Sequence, residues 1–538
     1  MQNKISLSFL LSYIKKIFSK DTALLVLFLI GAGLLSVWLA QDLTHDFLMY
    51  HYYNGFAFLN NRLTLDIAPA QIATYYNPLL DAVLYILDNT FSKNPFLFVM
   101  GLPAGLALFI IYKIADLFFD DHKKIWIPVS LLISLTGFAF FRQIGTCTHE
   151  ITLACFVLGA VYILLKNPIK PIWYFIAGAL LGAAAGFKLT AALYCISTGI
   201  TLILFYKTLV KPKTFISLFI FGGLTGFLAI DGFWMGILWK NFQNPFFPFW
   251  NRIFKSPYFF DVNYVDDLHL SYDWKKLLFL PFLIFSGNIY NPGEVREKYL
   301  VAGITFSDAR WMFGFLLLCA FSIKLLNSAF RHSVSRRTFF IISFMVLSYL
   351  VWLFSSQNIR FTVPIEMLFG IIFIKVLSLY SLPKSLFKQT AAGVFVCLFF
   401  FILLTSPFFS HRWGVYYRSS VPNNAVFPKN ALILTAGSPN SYFAAKFAER
   451  TNAPIINALL NPIQKTIYLD FADQFFVKQR KNIIDHNLVQ EIFIVNINRI
   501  ADIEIEKQKC VYLKNNPLQN KIAICSNQKL LNNIFKRK

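Results

Sequence analysis

TALLVLFLIGAGLLSVWLA, residues 22–40, runs directly into QDLTHDFLMYHYYNGFAFLNNRLTLDIAPAQIATYYNPLLD, residues 41–81. The first piece carries no charge over about the 20 positions that a helix needs to cross a bilayer. The second holds acids, histidines and tyrosines. Titratable groups placed directly outside an apolar span point to a membrane protein whose chemistry sits at the membrane surface. Lys4, Lys15, Lys16 and Lys20 precede the span, so the N-terminus is expected in the cytoplasm and 41–81 outside. The small-residue candidate for signal cleavage has bulky Trp38 at its minus-three position, so 22–40 reads as an uncleaved first transmembrane helix.

Composition agrees. Of 538 residues, 57% are hydrophobic, 18% aromatic and only 14% charged, too apolar for an ordinary soluble protein and right for a polytopic α-helical one. The net charge of +23 is spread as short Lys/Arg clusters between apolar runs, the positive-inside pattern, so no nucleic-acid partner is expected and membrane lipids are. The seven cysteines show no CxxC or His/Cys spacing for zinc or haem.

Further apolar runs at 96–119, 125–141, 152–165, 173–187, 189–205, 215–239, 311–326, 339–354, 361–379 and 391–404 bring the expected number of crossings to about eleven. Two more, 79–91 and 277–285, are too short to span and are expected to lie at or dip into the outer surface. Lysine or arginine marks each inner turn, the most basic being 324–337. Three regions follow: a cytoplasmic amphipathic N-terminus at 1–21, a membrane domain at 22–405 with an external loop at 41–95, and an external domain at 406–538. In the last, ALILT, APIIN, EIFIVNI, CVYL and KIAIC read as short strands and SYFAAKFAER as a helix, giving a small α/β domain.

If 47–59 is helical, Asp46, Tyr50 and Tyr53 share a face at i, i+4 and i+7, which suits a general base and a hydroxyl-positioning surface. Read alone, the same face also fits an interfacial helix capped by Asp46. The alternation of spans puts further polar residues on that outer side: His51 and Asp66 in the first loop, His149 and Glu150 in RQIGTCTHE, Lys188, and Asn358 and Arg360 in SSQNIRF. Singly they read as helix caps or snorkelling cations. Together they describe a cavity with acids for proton transfer and cations for a phosphate. No GxSxG, HExxH or P-loop is present, so hydrolase, zinc-protease and ATPase readings have no support.

This order resembles the GT-C membrane glycosyltransferases, the group that includes protein O-mannosyltransferases and bacterial lipid A aminoarabinose transferases. The matching pieces are THDFLMYHYYNGFAFL, NNRLTLDIAPA, TYYNPLLDAVLYIL, CTHEITLACF, GAAAGFKLTA and NIRFTVPIEMLFG, covering roughly residues 22–380. Asn77-Pro78 stands where many members have Pro-Pro, and His51-Tyr52-Tyr53 replaces a simple acidic pair. The resemblance implies a polyprenyl-phosphate-linked sugar donor, an acceptor in the cell envelope, inverting transfer on the outer face of the bacterial inner membrane, and no organic cofactor. Metal dependence varies in the group, and no ligand cluster here demands one. Carried onto this chain, Asp46 is the catalytic base and Glu150 the second acid. Lys188 and Arg360 contact the donor phosphate, while Tyr50, His51, Tyr53, Asn54 and Asp66 line the substrate site. The alternatives are a lipid-linked oligosaccharide polymerase or ligase, whose arginines would be Arg296 and Arg310, and a transporter or flippase, against which the absence of an internal repeat speaks.

Overall fold

A computed structural model of the chain describes residues 19–39, 46–120, 123–166, 169–259, 261–263, 273–286, 308–379, 431–436, 441–457, 490–496, 509–512 and 522–526. The chain divides into two compact units, neither continuous in sequence. One comprises Met1–Leu39, Leu97–Leu228 and Asp266–His411, the other Ala40–Phe96, Ala229–Val265 and Arg412–Lys538.

The first unit is helical. Five helices of the chain, Lys20–Leu39, Lys93–Asp116, Pro212–Phe242, Arg336–Ser355 and Ile359–Ser378, are long and apolar enough to cross a membrane, and Glu150–Leu165, Ile172–Phe187 and Leu189–Leu204 are shorter apolar ones. The chain is an integral membrane protein. The expected crossing at 391–404 and the amphipathic start at 1–18 lie outside the described residues. Of the five, Ile359–Ser378 is the most enclosed, and its helix Val363–Ser378 packs against Lys123–Leu135, Ala309–Lys324, Arg336–Ser355 and Glu150–Leu165. The small residues of GALLGAAAGF permit a close helix crossing. A β-carbon at Gly178 would collide with the Phe219 carbonyl and one at Gly182 with that of Gly223, so Ile172–Phe187 meets the 212–228 stretch backbone to backbone.

Among the described residues five helices reach spanning length against about eleven expected crossings, and the 125–141 run is divided. Residues 125–141 form two helices, Lys123–Leu135 and Phe138–Gln143, parted at Gly137. A break at membrane depth strands carbonyls on one side and N–H groups on the other, and each needs a partner. Arg310 donates to Ile133 O (2.8 Å) and Thr136 O (2.6 Å). On the other side Glu366 Oε2 accepts from Ala139 N (2.7 Å) and Phe140 N (3.3 Å). A β-carbon at Gly137 would strike the Glu366 carboxylate and push it off the N–H groups it accepts from. Asp308 completes the network, accepting from Arg310 Nε at 2.8 Å. Arg310, considered above as a catalytic arginine of a polymerase, is therefore occupied in holding a helix break.

In the second unit the loop segments fold as a short π-turn, Phe47–His51, leading into helix Tyr52–Leu59, and as helix Leu79–Thr90. A five-stranded sheet is formed by β1 (Ala431–Ala436), β2 (Ile455–Asn457), β3 (Gln490–Asn496), β4 (Lys509–Tyr512) and β5 (Ile522–Ser526), in the order β2-β1-β3-β5-β4. The pairs β1–β2 and β1–β3 are parallel, while β3–β5 and β4–β5 are antiparallel. Helix Ser441–Thr451 follows β1.

The β4–β5 register sets Cys510 opposite Cys525. Facing residues of an antiparallel pair have Cα atoms about 4.5–5.5 Å apart, inside the range a disulfide spans. In an external compartment these two cysteines are expected to be joined. Alkylation of the native protein without reductant, followed by peptide mapping, should leave both unlabelled; labelling of both shows free thiols.

Candidate functional site

In the first unit three charged groups meet. Glu150 opens helix Glu150–Leu165, where the N-terminal dipole favours a carboxylate. Lys188, ending helix Ile172–Phe187, donates from Nζ to Glu150 Oε1 at 2.6 Å and to Thr148 O at 3.2 Å. Arg360 Nε lies 3.9 Å from the same Glu150 oxygen. The Glu150 side chain is only 4% exposed, against 18% for Lys188 and 32% for Arg360, so the acid is enclosed and the cations face outward.

The turn that carries Arg360 is held carbonyl by carbonyl. Trp352 Nε1 donates to Asn358 O (2.8 Å), Gln143 Nε2 to Arg360 O (3.0 Å) and Tyr194 Oη to Phe361 O (2.6 Å). The Asn358 side chain accepts from Arg360 N at 3.2 Å. Both cations also lie over the Phe361 ring, Lys188 at 5.6 Å and Arg360 at 5.3 Å from its centroid. Beside them lies a small recess of about 10 Å³, lined by Glu150 and by apolar side chains including Leu153, Val157, Phe361 and Pro364. Two exposed cations next to apolar side chains suit a phosphate whose remainder is apolar.

The second unit holds the loop residues. Tyr50 Oη donates to Asp46 Oδ2 at 3.5 Å, so this pair does share a face. Tyr53 does not join it. The π-turn closes with Tyr52 N on Phe47 O, a wider turn than the α-helix, and this offsets the i+7 position from Asp46. Tyr53 Oη instead donates to Asp66 Oδ2 at 3.0 Å. Arg62 grips Asp66 with Nε–Oδ2 and Nη2–Oδ1 bonds of 2.7 Å each, and Asp66 Oδ1 also accepts from Ile455 N at 2.9 Å. Arg62 reaches on to Asn452 Oδ1 (2.9 Å) and Ala453 O. Burial, then the negative charge of Asp66, pushes the Tyr53 phenol well above its ordinary value, so it stays a donor. Burial raises the Asp66 carboxyl too, opposed by the hydrogen bonds and charge of Arg62. Asn54, 2% exposed, donates to Ala73 O at 2.9 Å. Tyr53, Asn54 and Asp66, expected to line the substrate site, are taken up by the chain itself.

Removing one member of such a buried pair leaves a charge uncompensated. Arg62→Met is expected to destabilise by about 3–5 kcal/mol and the double variant Arg62→Met/Asp66→Leu by less. Melting of the purified protein checks this, and a silent Arg62→Met contradicts it.

His51 and Asp81 were not paired by the sequence reading, yet His51 Nδ1 lies 2.6 Å from Asp81 Oδ1, with both residues buried. The signal was present in the two helices, one bearing His51 and Gly55 a turn apart, the other Asp81 in its first turn. Asp46, Tyr50 and His51 thus belong to one unit, and Glu150, Lys188 and Arg360 to the other.

The helical membrane fold has counterparts among solved structures. Among solved structures the chain is similar to the crystal structure of ArnT from Cupriavidus metallidurans bound to undecaprenyl phosphate, at 13% identity, covering 94% of this chain and 97% of that one with a TM-score of 0.51. It also matches archaeal oligosaccharyltransferase AglB from Archaeoglobus fulgidus, in complex with an inhibitory peptide and a dolichol-phosphate, at 13% identity over 88% of this chain and 69% of that one, TM-score 0.49. No family model and no curated protein matches the sequence. At these identities the ArnT likeness establishes a shared fold.

Proposed function

We propose that this chain is an inverting membrane glycosyltransferase that moves a sugar from a polyprenyl-phosphate donor to a cell-envelope acceptor on the outer face of a bacterial inner membrane. The observation that carries this reading is the meeting of Lys188 and Arg360 on Glu150 beside apolar side chains. The isoprenoid runs along the apolar side chains next to Glu150, and the cations take the phosphate. The acceptor oxygen attacks the anomeric carbon, the bond from that carbon to the phosphate oxygen breaks, and the acceptor proton passes to Asp46. The lipid phosphate departs with the electron pair, its growing charge met by Lys188 and Arg360. ArnT was captured with undecaprenyl phosphate, which is the leaving group this scheme requires.

The topology belongs to the same proposal: about eleven crossings, a cytoplasmic segment at 1–21, a membrane domain at 22–405 with its external loop at 41–95, and an external α/β domain at 406–538. No organic cofactor takes part. The second reading, a lipid-linked oligosaccharide polymerase or ligase, loses Arg310 to the helix break described above. Incubating the bilayer-reconstituted protein with labelled polyprenyl-phosphate sugars and envelope extract should move label into envelope material and release polyprenyl phosphate. Label moving only from diphosphate-linked oligosaccharides would favour the second reading, and no transfer from either donor would contradict both.

A further inference from the structure

The break at Gly137 sets off a six-residue helix, Phe138–Gln143, and both of its ends are fastened to the segment that carries Arg360. At its start, Glu366 in the first turn of helix Val363–Ser378 accepts from Ala139 N and Phe140 N. At its end, Gln143 Nε2 donates to Arg360 O at 3.0 Å, in the turn that runs directly into that same helix. Nε2 donates to Ala139 O as well, at 2.8 Å. Two carbonyls can only accept, so the end of the amide that meets them is the nitrogen, and the oxygen is left for a donor. That donor is the Thr148 hydroxyl, 2.7 Å from Gln143 Oε1. The carbonyl of Thr148 in turn accepts from Lys188 Nζ at 3.2 Å. Gln143 and Thr148 are both buried, where such bonds are stronger than in water. One amide thus joins the backbone of Arg360 to the residue on which Lys188 rests.

We infer that Gln143 is a positioning residue, which holds Arg360 and, through Thr148, Lys188 at the spacing that receives the donor phosphate. The phosphate in this statement rests on the glycosyl-transfer reading, while the coupling of the two turns rests on the hydrogen bonds alone. Two cations repel, so neither can fix the place of the other. Glu150 draws both in through one oxygen. Gln143 supplies the second tie, between the Arg360 backbone and the carbonyl that Lys188 reaches. The helix break at Gly137 gains a purpose from this, because it sets off the short helix whose last residue is Gln143. Placement matters at this level, since a shift of about 1 Å in a group that meets the reacting centre costs about 100-fold in rate.

Gln143→Met keeps the length of the side chain and removes its hydrogen bonds, and two readouts then test the inference. The first needs no turnover: hydrogen exchange of the bilayer-reconstituted protein, followed by mass spectrometry of peptides covering 144–150 and 357–362. Gln143→Met should speed exchange in both peptides and leave helix Ile172–Phe187 at its wild-type level. Unchanged exchange in either peptide overturns the inference. The second is a double-variant cycle on sugar transfer. Gln143→Met should lower kcat about 10- to 100-fold in the wild-type background. In Arg360→Ala the same change should cost much less, because no guanidinium is left to misplace. A protein that is merely damaged loses the same factor in both backgrounds, and that result overturns the inference, as does an unchanged kcat in Gln143→Met. If wild type transfers no sugar at all, the glycosyl-transfer reading fails while the exchange data still decide whether Gln143 couples the two turns.

Discussion

Asp46→Asn is expected to lower glycosyl transfer by about 100- to 10,000-fold while the protein is still made and inserted. The side chain sits at the start of the Phe47–His51 turn, half-exposed, with Tyr50 Oη at 3.5 Å as a long hydrogen-bond partner. The oxygens of Asp66, by contrast, are engaged by Arg62, Tyr53 and Ile455. The asparagine keeps the volume and most hydrogen bonds but cannot serve as a base at neutral pH. Retained turnover would move the base elsewhere.

The second large effect concerns the phosphate cluster. Lys188 and Arg360 with Glu150 sum to one net positive charge, against a donor phosphodiester carrying one negative charge and a leaving phosphate that carries more. In the proposed reaction the match is therefore best late, when the cations would stabilise charge that the ground state lacks. Arg360→Ala should lower kcat about 100- to 1,000-fold. Arg360→Lys keeps the charge yet loses the planar fork and its stacking on Phe361, so it should also fall clearly below wild type. A cation that only snorkels to headgroups predicts a silent Arg360→Lys. If Arg360→Lys and Lys188→Ala both keep wild-type turnover and donor affinity, the phosphate lies elsewhere.

These groups were legible in the sequence for a simple reason. An ionisable residue at the edge of an apolar run is costly unless it has a partner, so Glu150, Lys188 and Arg360 each stood out as in need of one. Their shared cluster then required only that consecutive runs alternate in direction. What could not be read was decided by partners far away in sequence. The break at Gly137 lies in a continuously apolar stretch, and the acid that satisfies it, Glu366, is 227 positions from Ala139. Asp66 accepts from Ile455 N, 389 positions on, and no local pattern marks that bond. Tyr53 left the Asp46 face because one π-turn changed the period, which a count based on the regular helix does not foresee. His51 and Asp81 are separated by only 30 positions, but their contact depends on the close approach at Gly55.

Mass spectrometry of envelope glycolipids and glycans tests the central claim most directly, comparing cells that have the protein, cells that lack it, and cells carrying Asp46→Asn. The account predicts one envelope molecule that loses a single sugar when the protein is absent, with the sugar-free acceptor and the unused polyprenyl-phosphate sugar accumulating and Asp46→Asn matching the deletion. Identical envelopes in all three would contradict it.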